Sequence, residues 1–529
     1  MLRVRWLGRV RYRDALALQR ALFERSSDDH LLLLEHPHVF TLGVRADPAH
    51  VLVAPDNVGA ELVRADRGGD VTYHGPGQLV GYPILTVPGK RGGGMGDTVA
   101  YVHSVEQLLI DSLADLGLPG ATRLDGYPGV WIEDRKIAAI GVRLSRGRTM
   151  HGFALNVEPD LRYFAHIVPC GIRDKQVTSI TAEGIDVDMH TVVDAVTARA
   201  TALWGTTGVE RQDVVWREHR EQPLRLSGRL AEAGVVDGLS ISARKPDFVK
   251  ARLRITDDYV RLKRTMRDLS LVTVCEEAGC PNIFECWAAG TATFMINGER
   301  CTRACGFCLV DTRHPLPLDH DEPARVAEAV DRMGLRFAVL TAVARDDLDD
   351  GGSAAFAETI AAIRRRTPHV RVEVLIPDCK GDPDSLDTIF RAGPDVVNHN
   401  IETVPRLQRV VRPSASYARS LAVLARAKAA GHTTKSGIIL GLGENEDEVI
   451  GAMADLQAVG VEIVTLGQYL RPTERHLPVT RWWTPDEFTR LKDAGESMGL
   501  AHVEASPLTR SSYHAAEAAS VSLRMPVAP

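Results

Sequence analysis

The chain has 529 residues, 44% of them hydrophobic and 25% charged, with a formal net charge of −6. One ordinary core does not grow to that length, so two domains are expected, and the near-balanced charge gives no reason to expect nucleic acid or an anionic membrane as partner. There is no run of eighteen or more apolar residues, and eight cysteines, six of them clustered, do not form a disulfide framework; a non-membrane protein of a reducing compartment, the cytoplasm, is expected.

At the start, MLRVRWLGRVRYRDAL is interrupted by arginine too often for a signal peptide. A transit peptide is the alternative, but Leu2, Val4 and Trp6 alternate as in a strand and a helical pattern follows over 14–23. Strand patterns at 30–34, 80–84, 129–132 and 137–144, with a helix at 99–116, predict a mixed α/β domain. No Rossmann or P-loop fingerprint is present; GGGMG at 92–96 lacks the strand and helix those motifs need and reads as a mobile loop.

Cys170 stands apart from the clustered cysteines, in the turn Val-Pro-Cys-Gly-Ile. An isolated cysteine is usually a small buried hydrophobe, but a Pro-Cys-Gly turn suits a core residue poorly. A nucleophilic thiol needs a positive group nearby, and Lys136 is a candidate, although alone it would read as a solvated lysine. RGGDVTYHGPGQ at 67–78, RKIAAIGVR at 135–143, HGFALNV at 151–157 and PCGI at 169–172 resemble, in order, the lipoyl(octanoyl) transferases, of the biotin and lipoate protein ligase fold; the resemblance covers about residues 1–220. It implies that Cys170 accepts the acyl group as a thioester and that Lys136 lowers its pKa. Arg67, Gly68, Gly69, Asp70, Val71, Thr72, Tyr73 and His74 would cradle the acyl chain and thioester carbonyl, since glycines let backbone approach a ligand closely. Ala139, Ile140, Gly141, Gly152, Phe153 and Ala154, small or apolar, would line the same pocket; His74 receives no proton-transfer role. Lipoate ligases share this fold but activate free acid with ATP and need no nucleophilic cysteine. The implied reaction is therefore ping-pong, from octanoyl-acyl carrier protein to Cys170 and then to a lysine of a lipoyl domain.

The periodic pattern weakens over about 222–245, where Gly, Pro and charge mix without an apolar face. This sets a first domain at 1–225, a connector at 226–244 and a second domain at 245–529, with no internal repeat.

The second domain carries two cysteine triplets, Cys275, Cys280 and Cys286 at C-x4-C-x5-C and Cys301, Cys305 and Cys308 at C-x3-C-x2-C. Three thiolates are one short of the four that a tetrahedral zinc or a cubane takes. The second triplet can hold three corners of a cubane and leave one iron open; a zinc knuckle, or a redox dithiol of Cys305 and Cys308, remains as an alternative. Apolar runs at 292–296, 336–342, 370–376, 395–397, 436–441 and 462–468 alternate with helical stretches, which predicts six parallel βα units with the cysteine loop after the first strand. The loop would then lie at the C-terminal mouth of a barrel.

C-x3-C-x2-C with Phe307 before the last cysteine is the radical S-adenosylmethionine signature. CEEAGCPNIFECW at 275–287, RDDLDDGG at 345–352, NHNIET at 398–403, GQYLRPT at 467–473 and RSSYHA at 510–515 extend the resemblance to lipoyl synthases over about 245–514. The resemblance implies a partial (β/α)6 radical SAM barrel, hence an α/β protein overall. Cys301, Cys305 and Cys308 would hold a 4Fe-4S cluster that binds S-adenosylmethionine, and Cys275, Cys280, Cys286 and Ser512, with Ser511 as the fallback, would hold an auxiliary 4Fe-4S cluster that donates sulfur. Polar residues at strand ends, 345–347, 398–400 and Lys435, are candidates for S-adenosylmethionine contacts, while Cys379 departs from the related synthases and reads as a buried spectator. The combined reading is a bifunctional lipoylation enzyme, an octanoyltransferase and a lipoyl synthase that inserts sulfur at carbons 6 and 8. Expected partners are octanoyl-acyl carrier protein, lipoyl domains of 2-oxoacid dehydrogenases, glycine cleavage H protein, and an electron donor such as ferredoxin or flavodoxin.

Overall fold

In the computed structural model the alternating start of the chain forms β1 (Leu2–Arg9), whose Leu2, Val4 and Trp6 are buried in the first core. The structure describes residues 1–87, 96–171, 175–215, 226–235, 238–250, 257–273, 282–288 and 290–522. Cys275, Cys280, the Cys170 side chain and residues 92–95 of the glycine-rich run lie outside the described residues. Two compact units divide the chain, Met1–Glu218 and His219–Pro529.

In the first unit, β1 is followed by α1 (Tyr12–Arg25), β2 (Asp29–Glu35), β3 (Val39–Leu42), β4 (Glu61–Arg64), β5 (Val71–His74), β6 (Gln78–Ile84) and α2 (Thr98–Asp115). Then come β7 (Ala121–Leu124), β8 (Tyr127–Ile132), β9 (Arg135–Ser145), β10 (Arg148–Asn156), β11 (Gln176–Val177), α3 (Met189–Trp204) and β12 (Val209–Asp213). The main sheet runs β12-β1-β2-β6-β10-β9-β8-β7 with β11 beside β9, and a smaller sheet runs β4-β3-β5. Asp97 and Asp188 cap α2 and α3 by accepting first-turn N–H groups, which fixes where each helix begins. Both helices lay Val105, Leu109, Leu113, Val192, Val193 and Val196 against the sheet.

One hairpin matters for the site. Arg146 and Gly147 both take positive φ, 53° and 74°, the conformation of a two-residue type I′ turn between β9 and β10. That turn sets the register in which Ala139, Ile140 and Gly141 face Ala154, Phe153 and Gly152.

The second unit begins with the segment expected as a connector. It carries α4 (Leu226–Glu232), Arg406 donates to the Ala233 carbonyl, and Leu239 N donates to Val479 O at 2.6 Å. These anchors are single polar contacts to residues far along the chain, so they leave no periodic trace. The sheet runs β13 (Val272–Thr273), β14 (Thr291–Ile296), β15 (Phe337–Ala342), β16 (Arg371–Leu375), β17 (Val396–Asn398), β18 (Thr433–Leu440), β19 (Ile463–Gln468), β20 (His502–Ser506) in spatial order. From β14 onward all pairs are parallel, and β13 alone is antiparallel. The six expected units are present and β20 adds a seventh parallel strand. Helices Glu322–Arg332, Ser353–Arg366 and Pro383–Arg391 cover one face, burying Val326, Phe356, Ile360 and Leu386 against Phe294, Leu340 and Val374.

Candidate active sites

In the first unit three separated sequence blocks meet around one cleft. Arg67, Gly68, Gly69, Asp70, Thr72, His74, Ala139, Ile140, Gly141, Gly152, Phe153 and Ala154 line it. The β9–β10 register juxtaposes the last two blocks, and a bond from Gly68 N to Val142 O, 3.0 Å, ties the first block to β9. A Cβ on Gly141 would stand 3.1 Å from Gly68 O and 3.2 Å from Arg67 Cδ, so a side chain there would crowd this approach. Arg67 is itself structural glue: buried, it donates to Thr41 O at 2.6 Å and Thr41 Oγ1 at 2.8 Å.

Val71 and Tyr73 do not line the cleft. Successive residues of β5 face opposite ways, and these two pack with Phe40, Leu42 and Ile167 in a separate apolar cluster. Tyr12, Tyr82 and His151 join the lining instead. His151 opens the quoted HGFALNV block and could have been read from it; Tyr12 and Tyr82 belong to no motif. Most polar groups around the cleft are buried and paired. His74 bonds Gln78 Oε1 at 2.8 Å, and His36 bonds Val10 O and the Tyr82 hydroxyl, both at 2.7 Å. Burial holds His36 down at about 4 and His74 well below its ordinary range, so both imidazoles are neutral. His151 takes φ +60° and binds Asp66 through Nε2 at 2.9 Å; that bond, with the nearby charge of His151 and Arg20, keeps the Asp66 carboxyl well below the usual range.

Lys136 is buried on β9 with its ammonium over the Trp131 ring, 4.7 Å from the centroid. Cys170 lies in the turn Pro169–Gly171, which packs against β5. A Cβ on Gly171, whose φ is +71°, would stand 2.8 Å from Asp70 Oδ2, so the turn carrying the cysteine touches a residue of the cleft.

In the second unit the loop of Cys301, Cys305 and Cys308 follows β14 and is fastened within itself, to the segment after β15 and to a helix that follows β17. Cys301 N donates to Asp311 O at 2.8 Å, Thr302 N to Ala344 O at 3.0 Å, and Gly306 N to Val411 O at 2.9 Å. His476 Nε2 donates to the Cys308 carbonyl at 3.0 Å. Between the cysteines, the buried Arg303 donates to both oxygens of Asp346, each 2.7 Å, and to Asp378 Oδ1 at 2.6 Å. Burial pushes the Asp378 carboxyl up, but Arg303 and Arg419 outweigh it and hold it well below the carboxylate range. Burial also raises the Cys305 thiol, and the Cys308 thiol to about 11, so thiolates here require a positive partner such as iron. Among the described residues no three His, Cys, Asp or Glu side chains converge on a single ion. A multi-iron cluster asks for less convergence, because each thiolate binds a different corner.

The candidate S-adenosylmethionine contacts are held in networks. Arg345 pairs with Asp347 and donates to Asn297 O at 3.0 Å; His399 lies between Ile376 O and Ser420; Lys435 and Glu373, both buried, pair at 3.0 Å with Asn398 donating to the same carboxylate. The Oδ1 atoms of Asn398 and Asn400 are buried with no partner among the described residues. Cys379 is buried at φ +43°, its thiol pushed up to about 12 by burial.

Of the first cysteine triplet, Cys286 lies on the helix Ile283–Ala288. The C-terminal turn holding Ser511 and Ser512 docks on that helix. Tyr513 donates to Glu285 at 3.1 Å, His514 lies 3.3 Å from the other oxygen, and Asn282 donates to Leu508 O at 2.7 Å. Gly467 makes room for the crossing, since a Cβ there would stand 2.1 Å from Thr509 O.

Comparison with known proteins agrees with this division. The lipoyl protein ligase A/B catalytic domain model matches residues 11–201, the model of the N-terminal domain of lipoyl synthase matches 225–280, and the radical SAM superfamily model matches 295–456. A lipoyl synthase of Rubrobacter xylanophilus is 58% identical over 275 residues, 52% of this chain and 86% of that protein. One of Mycobacterium tuberculosis is 54% identical over 272 residues, 51% of this chain and 88% of that protein. A solved lipoate-protein ligase A bound with ATP aligns at 21% identity and TM-score 0.34, covering 41% of this chain and 89% of that one. The chain thus couples a lipoyl ligase and transferase type of catalytic domain to a radical SAM enzyme, and its second unit has a 4Fe-4S cluster and S-adenosylmethionine as cofactors. It belongs to the lipoyl synthase family, and with both units it is a bifunctional lipoylation enzyme acting on lipoyl-domain proteins. Among the described residues no helix is long and apolar enough to cross a membrane.

Proposed function

We propose that the first unit transfers octanoyl from octanoyl-acyl carrier protein to Cys170 as a thioester and then to a lipoyl-domain lysine, and that the second unit inserts sulfur at carbons 6 and 8 of that chain. The clients would be the lipoyl domains of 2-oxoacid dehydrogenases and glycine cleavage H protein, met in the cytoplasm. The carrying observation is the convergence of three sequence blocks on a cleft whose floor is Ala139, Ile140, Gly141, Phe153 and Ala154, with the Cys170 turn against its Asp70. Carbon-lined walls suit a fatty acyl chain, and a cysteine at the rim suits a covalent acyl carrier. The Cys170 thiolate attacks the incoming thioester and the carrier's thiol leaves; the lysine amine then attacks the new thioester, loses a proton, and frees the thiolate. Lys136, buried on β9, supplies the positive charge that favours thiolate.

In the second unit the donor set fits an iron–sulfur cluster. Three thiols are held on a loop pinned by Arg303, beside unpartnered buried acceptors at Asn398 and Asn400. Cys301, Cys305 and Cys308 would hold the S-adenosylmethionine-binding cluster; Cys275, Cys280, Cys286 and Ser512 would hold the auxiliary one, and the docking of Tyr513 and His514 on Glu285 supports bringing Ser512 to Cys286. When bound and reduced by a donor such as ferredoxin or flavodoxin, the first cluster supplies the electron that cleaves S-adenosylmethionine. The chain's part is to exclude water from the barrel mouth and hold the acyl-lysine in place.

The test uses the full chain, reconstituted anaerobically, with octanoyl-acyl carrier protein, a lipoyl domain, S-adenosylmethionine and reductant, without ATP. Intact mass is expected to show octanoyl first on the enzyme, then on the lipoyl domain, then with two sulfurs added. Cys170→Ser should abolish octanoyl transfer yet leave sulfur insertion into a domain octanoylated beforehand. A requirement for ATP and free octanoate, with the carrier-bound chain inert, would replace the transferase reading by a ligase.

A further inference from the structure

We infer that His50, oriented by Asp70, is the base that takes the proton from the lipoyl-domain lysine during acyl transfer; this rests on the Cys170 thioester reading. The imidazole Nδ1 lies 2.6 Å from Asp70 Oδ2, while Asp70 Oδ1 accepts from the backbone N–H of Val71 at 2.7 Å and of Asp47 at 3.2 Å. Both carboxylate oxygens are thereby fixed. A carboxylate only accepts, so Nδ1 carries the hydrogen and the neutral ring keeps its lone pair on Nε2, which has no hydrogen-bond partner among the described residues.

The chain brings this pair to the cysteine turn by backbone bonds. Val168 N donates to His50 O and Leu52 N to His166 O, both at 2.8 Å, and Val51 bridges Ile167, so residues 50–52 run antiparallel to 166–168, just before Pro169–Gly171. A Cβ on Gly171 would meet Asp70 Oδ2 at 2.8 Å and His50 Cε1 at 3.5 Å. The two histidines that line the cleft are less suited. His74 is buried and bonded to Gln78; His151 is 1% exposed, with Nε2 committed to Asp66 and Nδ1 enclosed. The His50 side chain is 20% exposed, open to an incoming amine.

The chemistry requires such a base in one half-reaction only. When the amine adds to the Cys170 thioester, a C–N bond forms and the nitrogen becomes cationic. Unless its proton leaves, the amine departs again. Transfer of that proton to His50 Nε2 lets the C–S bond break, with the Cys170 thiolate as leaving group, and His50 then passes the proton to water. In the first half-reaction a thiolate displaces a thiol and no nitrogen must be deprotonated.

The experiment separates the halves in the full chain. Acylation of the enzyme by octanoyl-acyl carrier protein is followed by intact mass in a single turnover; a lipoyl domain is then added and loss of the acyl-enzyme is timed. His50→Gln is expected to acylate within about twofold of the parent and to transfer about 100-fold more slowly, the scale of a lost general base. Asp70→Asn, which keeps the imidazole but also changes the cleft lining, should slow transfer more than it slows acylation. Hydroxylamine, which attacks thioesters without help from a base, should discharge parent and His50→Gln acyl-enzymes equally, showing the thioester correctly exposed. Equal slowing of both halves, or of neither, overturns the role of His50. Absence of any acyl-enzyme in the parent overturns the Cys170 reading instead.

Discussion

Replacing Arg303 with methionine should loosen the cysteine loop of the radical SAM unit without touching a cysteine. Arg303 is 8% exposed and its guanidinium makes three charge-assisted bonds of 2.6–2.7 Å, two to Asp346 and one to Asp378. Asp378 is wholly buried and would keep Arg419 at 3.5 Å and the Lys380 N–H at 3.0 Å. Breaking a fully buried pair by removing one partner costs about 3–5 kcal/mol. The remaining partners of Asp378, and the 29% exposure of Asp346, place this case near the lower end, about 3 kcal/mol. That is roughly a hundredfold in the opening equilibrium of the loop, since about 1.4 kcal/mol is tenfold. Arg303→Lys keeps the charge but loses the two-pronged geometry and should cost about 1–2 kcal/mol. The assay is iron content after anaerobic reconstitution, together with the urea midpoint for loss of visible cluster absorbance. Acid adds a second signature. Arg303 holds both carboxyls below the unfolded value of about 3.9, so its contribution is complete above that pH and is lost as pH falls through the depressed folded values. Parent and variant should therefore converge in acid. Equal iron content and equal urea midpoints at neutral pH would refute the clamp.

Ala154→Leu, on the cleft floor cross-strand from Ala139, should shift acyl selection from octanoyl toward shorter chains by roughly tenfold or more in kcat/KM, read by competition between carrier proteins; unchanged selection would show that the chain does not lie there. Glu285→Ala removes the acceptor shared by Tyr513 and His514; at 61% exposure it should change stability by no more than about 1 kcal/mol yet lower auxiliary-cluster content, which iron and sulfide analysis would show. His36 is held at about 4 by burial against about 6.5 unfolded, so the unfolded chain binds the extra proton between those values and stability falls with acidification, by up to about 3 kcal/mol. The drop in melting temperature of the first unit from pH 7 to pH 5 should be smaller in His36→Gln, and an equal drop would exclude His36 as its source.

What the sequence discloses about these sites follows the range of the forces involved. Strands β9 and β18 and helices α1 and α2 are legible because apolar periodicity is local, and the cleft blocks at 139–141 and 152–154 are legible because one hairpin turn joins them. Within 67–74 the motif is read as one contiguous block, while the pleat sends Val71 and Tyr73 to another cluster; applying a period of two to VTYH would have separated them. β20 escapes because His502–Ser506 contains a single large apolar residue, Val503, and owes its conformation to pairing with β19. The clamp of Arg303 on Asp346 and Asp378 spans 43 and 75 residues, beyond any local pattern. Yet parallel order places the residues after β15 and β16 side by side with the loop after β14. Charges at the C-terminal ends of successive parallel strands are therefore natural partners, and that rule pairs RDDLDDGG and IPDCKG with the cysteine loop from strand order alone. The pair of His50 and Asp70 obeys no such rule. It arises where an irregular segment folds back along residues 166–168, and only the assembled backbone brings it to the turn of Cys170.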